Sequence, residues 1–154
     1  MTKKIKKQRA STLVEVLVAV SIIALVLTAV SSMIFASVKL AESNEIRQLA
    51  LQKNEEALEF FRKERFVNSW ALFAAAMEDE TSYCLSSLPD DLTGLAEKIG
   101  NCADDDQLQA AAYYFQREVY VSKETDSLNL RVDISWQAGG EEKVLSLEQD
   151  FQKY

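Results

Sequence analysis

The pattern of apolar and polar positions changes character several times along this chain. From Val16 to Val38 there is no charged residue. At ~1.5 Å of rise per residue, a helix over that run is long enough to cross a hydrocarbon core of roughly 30 Å. From Lys39 to Arg65 there is no glycine and no proline, and Glu, Gln, Lys, Leu and Ala dominate, all good helix formers. Ile46, Ala50, Ala57 and Phe61 recur there near helical spacing, with Leu51 and Leu58 on an adjoining stripe. The two runs join without a breaker, so the pattern predicts one helix from about Thr12 to about Arg65. Its first half is apolar all round and its second half amphipathic, as expected of a segment embedded at one end and packed on a domain at the other.

The C-terminal third has the period of a sheet. Leu128, Leu130, Val132, Ile134 and Trp136 alternate strictly with polar residues, which marks a strand with one buried face. Gly139-Gly140 is a turn dipeptide, and Lys143–Phe151 returns with Leu145 and Leu147 on one face. Upstream, Tyr113–Ser122 forms a further strand from Phe115, Val119 and Val121. These segments predict a three-stranded antiparallel meander, whose apolar face the amphipathic half of the long helix would cover. The fold class is therefore α+β. Asn68-Ser69 is placed to cap a short second helix through Met77 that buries Trp70, Leu72 and Phe73 in a core. Residues 78–112 are irregular, punctuated by Pro89 and Gly94, with a short helix possible over Leu92–Ile99.

Charge divides the chain in the same place as hydropathy. There are 17 Lys+Arg against 24 Asp+Glu, a formal net charge of −7. Lys3, Lys4, Lys6, Lys7 and Arg9 all precede the apolar run, so the body after it is more acidic than the whole. Cations before a span and an acidic body behind it put the N-terminus in the cytoplasm and the body outside. An acidic body also argues against bulk binding of nucleic acid. Arg62, Lys63 and Arg65 sit among Glu59 and Glu64 and are best read as a solvated helix face.

The basic leader, the small residue Ala10, the segment Ser11-Thr12-Leu13-Val14-Glu15 and the long apolar run together resemble the start of a type IV prepilin. An ordinary secretory signal has a shorter apolar core, with its cleavage site beyond that core rather than before it. The stretch Leu130–Trp136, with Gly139-Gly140 and the returning strand, is similar to the end of minor pilins and pseudopilins of the modification-protein type. The resemblance implies a pilin fold with a leader at 1–10, a transmembrane and assembly half of the helix at 11–38, and a soluble head at 39–154. It implies cleavage by a prepilin peptidase between Ala10 and Ser11 and methylation of the new Ser11 amine. Glu15 would then pair with the Ser11 amine of a neighbouring subunit, setting register in a filament built on an inner-membrane assembly platform. The precursor would be a single-pass protein of the cytoplasmic membrane, and the product an extracellular or periplasmic filament.

Other readings of the same residues stay open. Thr12-x-x-Glu15 is also a capping-box pattern, and a carboxylate near a helix start gains from the macrodipole. The same fold would serve a pseudopilin of a type II secretion or competence system. A single-span anchored enzyme or sensor is a reading of a different class.

The remaining chemistry is sparse. The chain has two cysteines, Cys84 and Cys102, and no histidine. An even pair in an exported domain favours a structural disulfide, worth roughly 3 kcal/mol in the chain-entropy model. Zinc would need more ligands, and Asp104-Asp105-Asp106 lacks the alternating oxygens and turn glycine of a calcium loop. There is no Gly-rich phosphate loop. No catalytic residue, metal or cofactor is expected, and the chain is read as a structural protein rather than an enzyme.

Overall fold

The computed structural model describes the backbone of residues 5–153 and the side chains of residues 13–153. The long helix, α1, runs over Ile5–Val67. It starts before Thr12 because residues 5–10 (Ile, Lys, Gln, Arg, Ala) contain no breaker, and it ends just past Arg65 at Asn68-Ser69. Ser69 caps α2 (Trp70–Ala75), its hydroxyl accepting from the Leu72 N–H at 3.4 Å. Asn68 instead turns back onto the carbonyl and carboxylate of Glu64, at 3.0 and 3.1 Å. Phe73 is fully buried and Trp70 half-buried, but Leu72, expected in the core, is 63% exposed. With only six residues in α2, one face is all that it can bury.

The meander expected at the C-terminus is present as β3 (Tyr113–Lys123), β4 (Ser127–Ala138) and β5 (Glu141–Gln152), all antiparallel. The sheet is wider than three strands. β1 (Thr81–Cys84) pairs with β3, giving the order β1-β3-β4-β5, and the short β2 (Leu108–Ala110) pairs with the start of β3. Both extra strands come from the segment that looked irregular. They are too short to display a period and owe their form to the edge of β3. Between β4 and β5 the turn glycines have φ of 64° and 82°, the left-handed region that a two-residue hairpin demands and that side chains disfavour. A 3-10 helix covers Leu92–Lys98, with Asp91 accepting from the Thr93 N–H at its start.

The chain divides into two compact units, residues 1–44 and residues 45–154. In the second unit, Ile46, Ala50, Ala57 and Phe61 lie on the buried face of α1, while Leu51 on the adjoining stripe is 38% exposed. The core has two parts. The larger joins Ala57, Leu58, Phe60 and Phe61 to Val119, Val121, Leu128, Leu130 and Phe151; the smaller joins Ile46 and Ala50 to Phe115 and Ile134. A polar layer falls between them. Fully buried Asn54 donates to the carbonyls of Val132 (3.2 Å) and Leu145 (2.9 Å) on adjacent strands. Arg117, 1% exposed, donates from Nε to the Leu85 carbonyl at 2.8 Å and from a terminal nitrogen to the Lys53 carbonyl. Burial pushes its guanidinium down to about 10, opposed by the charge of Glu56, so it remains protonated at neutral pH.

Candidate functional site

The first unit offers chemistry of one kind. Every large apolar side chain from Leu13 to Leu40 is exposed, from 47% at Val30 to 73% at Phe35. These residues bury nothing within their own chain, which in water would leave a long apolar surface uncovered. By length and composition the helix is able to cross a membrane. From Leu13 to Leu40 the hydroxyls along it are already satisfied. Ser21, Ser31 and Ser37 bond back to the carbonyls of Leu17, Leu27 and Met33, at 2.8, 2.8 and 2.9 Å. Thr28 and Ser32 do the same to Leu25 and Ala29, at 2.9 and 2.8 Å. Such back-bonding is what lets a hydroxyl enter a medium without water.

Glu15 is the exception. It is exposed, and among the described residues it has no hydrogen-bond or ion-pair partner. It is also not at a helix start, because α1 begins at Ile5. In the uncut chain a capping role for Thr12 and Glu15 therefore has no free helix N–H groups to serve. The expected cut between Ala10 and Ser11, and the Ser11 amine itself, lie outside the residues whose side chains are described.

The second unit carries the crosslink. Cys84, the last residue of β1, is bonded to Cys102, with Cα atoms 4.8 Å apart. The loop that it closes is also held by an isolated bridge between Tyr83 and Ile99 and by the Gly100 N–H donating to the Ser82 carbonyl at 2.8 Å. The Cys102 N–H donates to Glu118 Oε1 at 2.7 Å, and Glu118 is the β3 residue opposite Cys84. A covalent bond and a charge-assisted hydrogen bond thus act at one point of the sheet edge. Tyr83 is buried nearby; its hydroxyl accepts from the Glu78 N–H at 2.6 Å, and burial holds the phenol above its ordinary pKa. Asp91 is held below the usual carboxylate range by its hydrogen bonds from Thr93.

Sequence reasoning missed the polar layer of Asn54 and Arg117. Arg117 does carry a signal: it occupies an inward position of the alternating run Phe115, Arg117, Val119, Val121. A charged residue in phase with buried ones is a buried charge. Asn54 carries a similar signal, lying one helical turn after Ala50. Among the described residues no group of three or more His, Cys, Asp or Glu converges on a point that could hold a metal.

A helix long and apolar enough to cross a membrane, followed by an α+β unit, gives a pilin-like architecture. Residues 5–31 match the family described as the prokaryotic N-terminal methylation motif, the signal of type IV prepilins. The match indicates a type IV pilin- or pseudopilin-like protein and points to a structural role. No curated protein and no solved structure matches the chain.

Proposed function

We propose that this chain is a structural subunit of a type IV pilus, cut by prepilin peptidase between Ala10 and Ser11 and methylated on the Ser11 amine. It enters the filament from the cytoplasmic membrane through an inner-membrane assembly platform. There it contributes, as a major or minor subunit, to adhesion, twitching motility or DNA uptake. The observation that carries this reading is the contrast within α1: every other described polar side chain from Leu13 to Val38 bonds back to its own helix, and Glu15 alone does not. A carboxylate at membrane depth costs about 2.5–3.5 kcal/mol on insertion scales at the helix centre. The Ser11 amine of a neighbouring subunit would offset that cost and set the axial register.

The test is incorporation of tagged Glu15→Ala protein into sheared filaments, with membrane level and processing as controls. Insertion and cleavage should be normal, since removing a charge eases membrane entry. Incorporation should fall roughly tenfold or more, because the neighbour's amine is left uncompensated in an apolar bundle. Mass spectrometry of the exported protein should find a chain beginning at Ser11. Wild-type incorporation of Glu15→Ala would remove the pairing, and an intact Met1 or Thr2 terminus would remove the pilus reading altogether.

A further inference from the structure

The sheet of the second unit forks. β3 and β4 pair from Lys123↔Leu128 to Gln116↔Ser135 and stop there, although β3 starts at Tyr113 and β4 continues to Ala138. Beyond the last pair, Tyr113–Phe115 is held by β2, and Trp136–Ala138 by β5. The two strands are drawn apart by their outer partners, and an open groove of about 500 Å³ lies between them. Because it cuts through the plane of the sheet, side chains of both faces line it. Phe115 and Trp136, from the inner face, have ring centroids 6.1 Å apart at 60°. Tyr114 and Gln137, from the outer face, are both exposed. The β2–β3 turn that shapes one wall holds Ala111 at φ 53°, a conformation an L-residue adopts only under constraint.

The lining selects a ligand chemistry. Its polar groups are the amides of Gln107, Gln116 and Gln137, the carboxylates of Asp104 and Glu142 and the hydroxyls of Ser135, Tyr113 and Tyr114, with no lysine or arginine. Gln116 and Gln107 are fixed through their amide nitrogens on the carbonyls of Ala103 (2.7 Å) and Asp104 (3.0 Å). Among the described residues, the side chains of Asp104, Tyr114, Gln137 and Glu142 make no hydrogen bond or ion pair. Aromatic faces offer a flat apolar platform, while carboxylate and amide oxygens accept paired hydroxyl protons. Two carboxylates with no cation repel phosphates, uronates and nucleic acid. An added peptide strand is poorly served, since each open edge is only three residues long.

We propose that this fork binds a neutral saccharide. One pyranose would stack its C–H face on Trp136 or Tyr114, with its hydroxyls shared among Gln137, Glu142 and Asp104. The inference goes beyond the filament reading and does not depend on assembly.

The test uses the full-length protein in micelles of a detergent without a sugar headgroup. Saturation-transfer NMR and tryptophan fluorescence are read against trisaccharides of neutral hexoses and of N-acetylhexosamines, with a uronic-acid trisaccharide as comparator. At least one neutral trisaccharide should bind with a dissociation constant of roughly millimolar or tighter, and the uronate roughly tenfold more weakly. Tyr114→Ala and Gln137→Ala, both at exposed positions, should each weaken binding roughly tenfold while leaving the near-UV circular dichroism of the fold intact. Absence of binding by every neutral trisaccharide, binding unaffected by both substitutions, or equal binding of the uronate would each overturn the proposal.

Discussion

The two halves of α1 are one helix by hydrogen bonding and two different objects by chemistry. Residues 13–40 satisfy their hydroxyls internally and leave every large apolar side chain uncovered. Residues 45–67 bury Ile46, Ala50, Ala57 and Phe61 under a sheet and hold their charged residues, buried Glu64 excepted, at exposed or half-buried positions. The second half is completed by its own chain, whereas the first is completed only by something outside it, whether lipid or other helices. Helix propensity is common to both, and what differs is where the hydrophobic free energy is collected.

That difference has a direct consequence for matched truncations. Phe61→Ala should cost the C-terminal unit about 3–5 kcal/mol, because Phe61 is 1% exposed and its removal leaves a cavity in the larger core. Ile23→Ala, at a residue 58% exposed, should leave that unit within about 0.5 kcal/mol of wild type. Urea unfolding of the full chain in micelles, followed by near-UV circular dichroism, measures both. A comparable loss at Ile23 would break the distinction between the halves.

The disulfide sharpens the comparison from the other side. Cys84→Ser should lower the stability of the C-terminal unit by about 3 kcal/mol and leave membrane anchoring by the first half unchanged. Alkylation of the untreated exported protein should label neither Cys84 nor Cys102. Labelling of both would show that β1 and the loop after it are held by hydrogen bonds alone.

What was legible in the sequence follows from how each element earns its structure. α1 and the β3–β4–β5 meander carry long periodic patterns, because each buries a face along most of its length, and they were readable to within a few residues apart from the helix start. β1 and β2 were not, since Thr81–Cys84 and Leu108–Ala110 are shorter than a legible period and exist by pairing with β3. Leu72 was expected inside and lies outside, because composition cannot say which face of a six-residue helix meets the core. The proposed cleavage and assembly residues Ala10, Ser11 and Glu15 rest on a resemblance, and physical reasoning alone would have reached only a lone carboxylate at the head of an apolar run. The fork in the sheet was beyond reach, because it depends on where a ladder ends and no residue type announces that.

Arg117 gives the subtlest test, since its charge is held away from water at 1% exposure, deeper than that of buried Glu64 at 5%. Its folded pKa, pushed down to about 10, lies below the ordinary guanidinium value, so folding disfavours the charged form. Between about pH 10 and that ordinary value the unfolded chain binds more protons than the folded one. Stability arising from this group therefore rises with pH in that window and is flat below it. At neutral pH the charge is a cost, offset by the carbonyls of Leu85 and Lys53. Arg117→Met keeps the volume and removes the buried charge but leaves the Leu85 carbonyl without that donor. These effects oppose each other at about 1–3 kcal/mol each. The expected outcome is a stability within about 1 kcal/mol of wild type, with a difference that does not change between about pH 5 and pH 8. Arg117→Ala, which also leaves a void, should instead lose about 3 kcal/mol. If Met proved as damaging as Ala, the guanidinium hydrogen bonds rather than the packing between the two core clusters would hold this layer together.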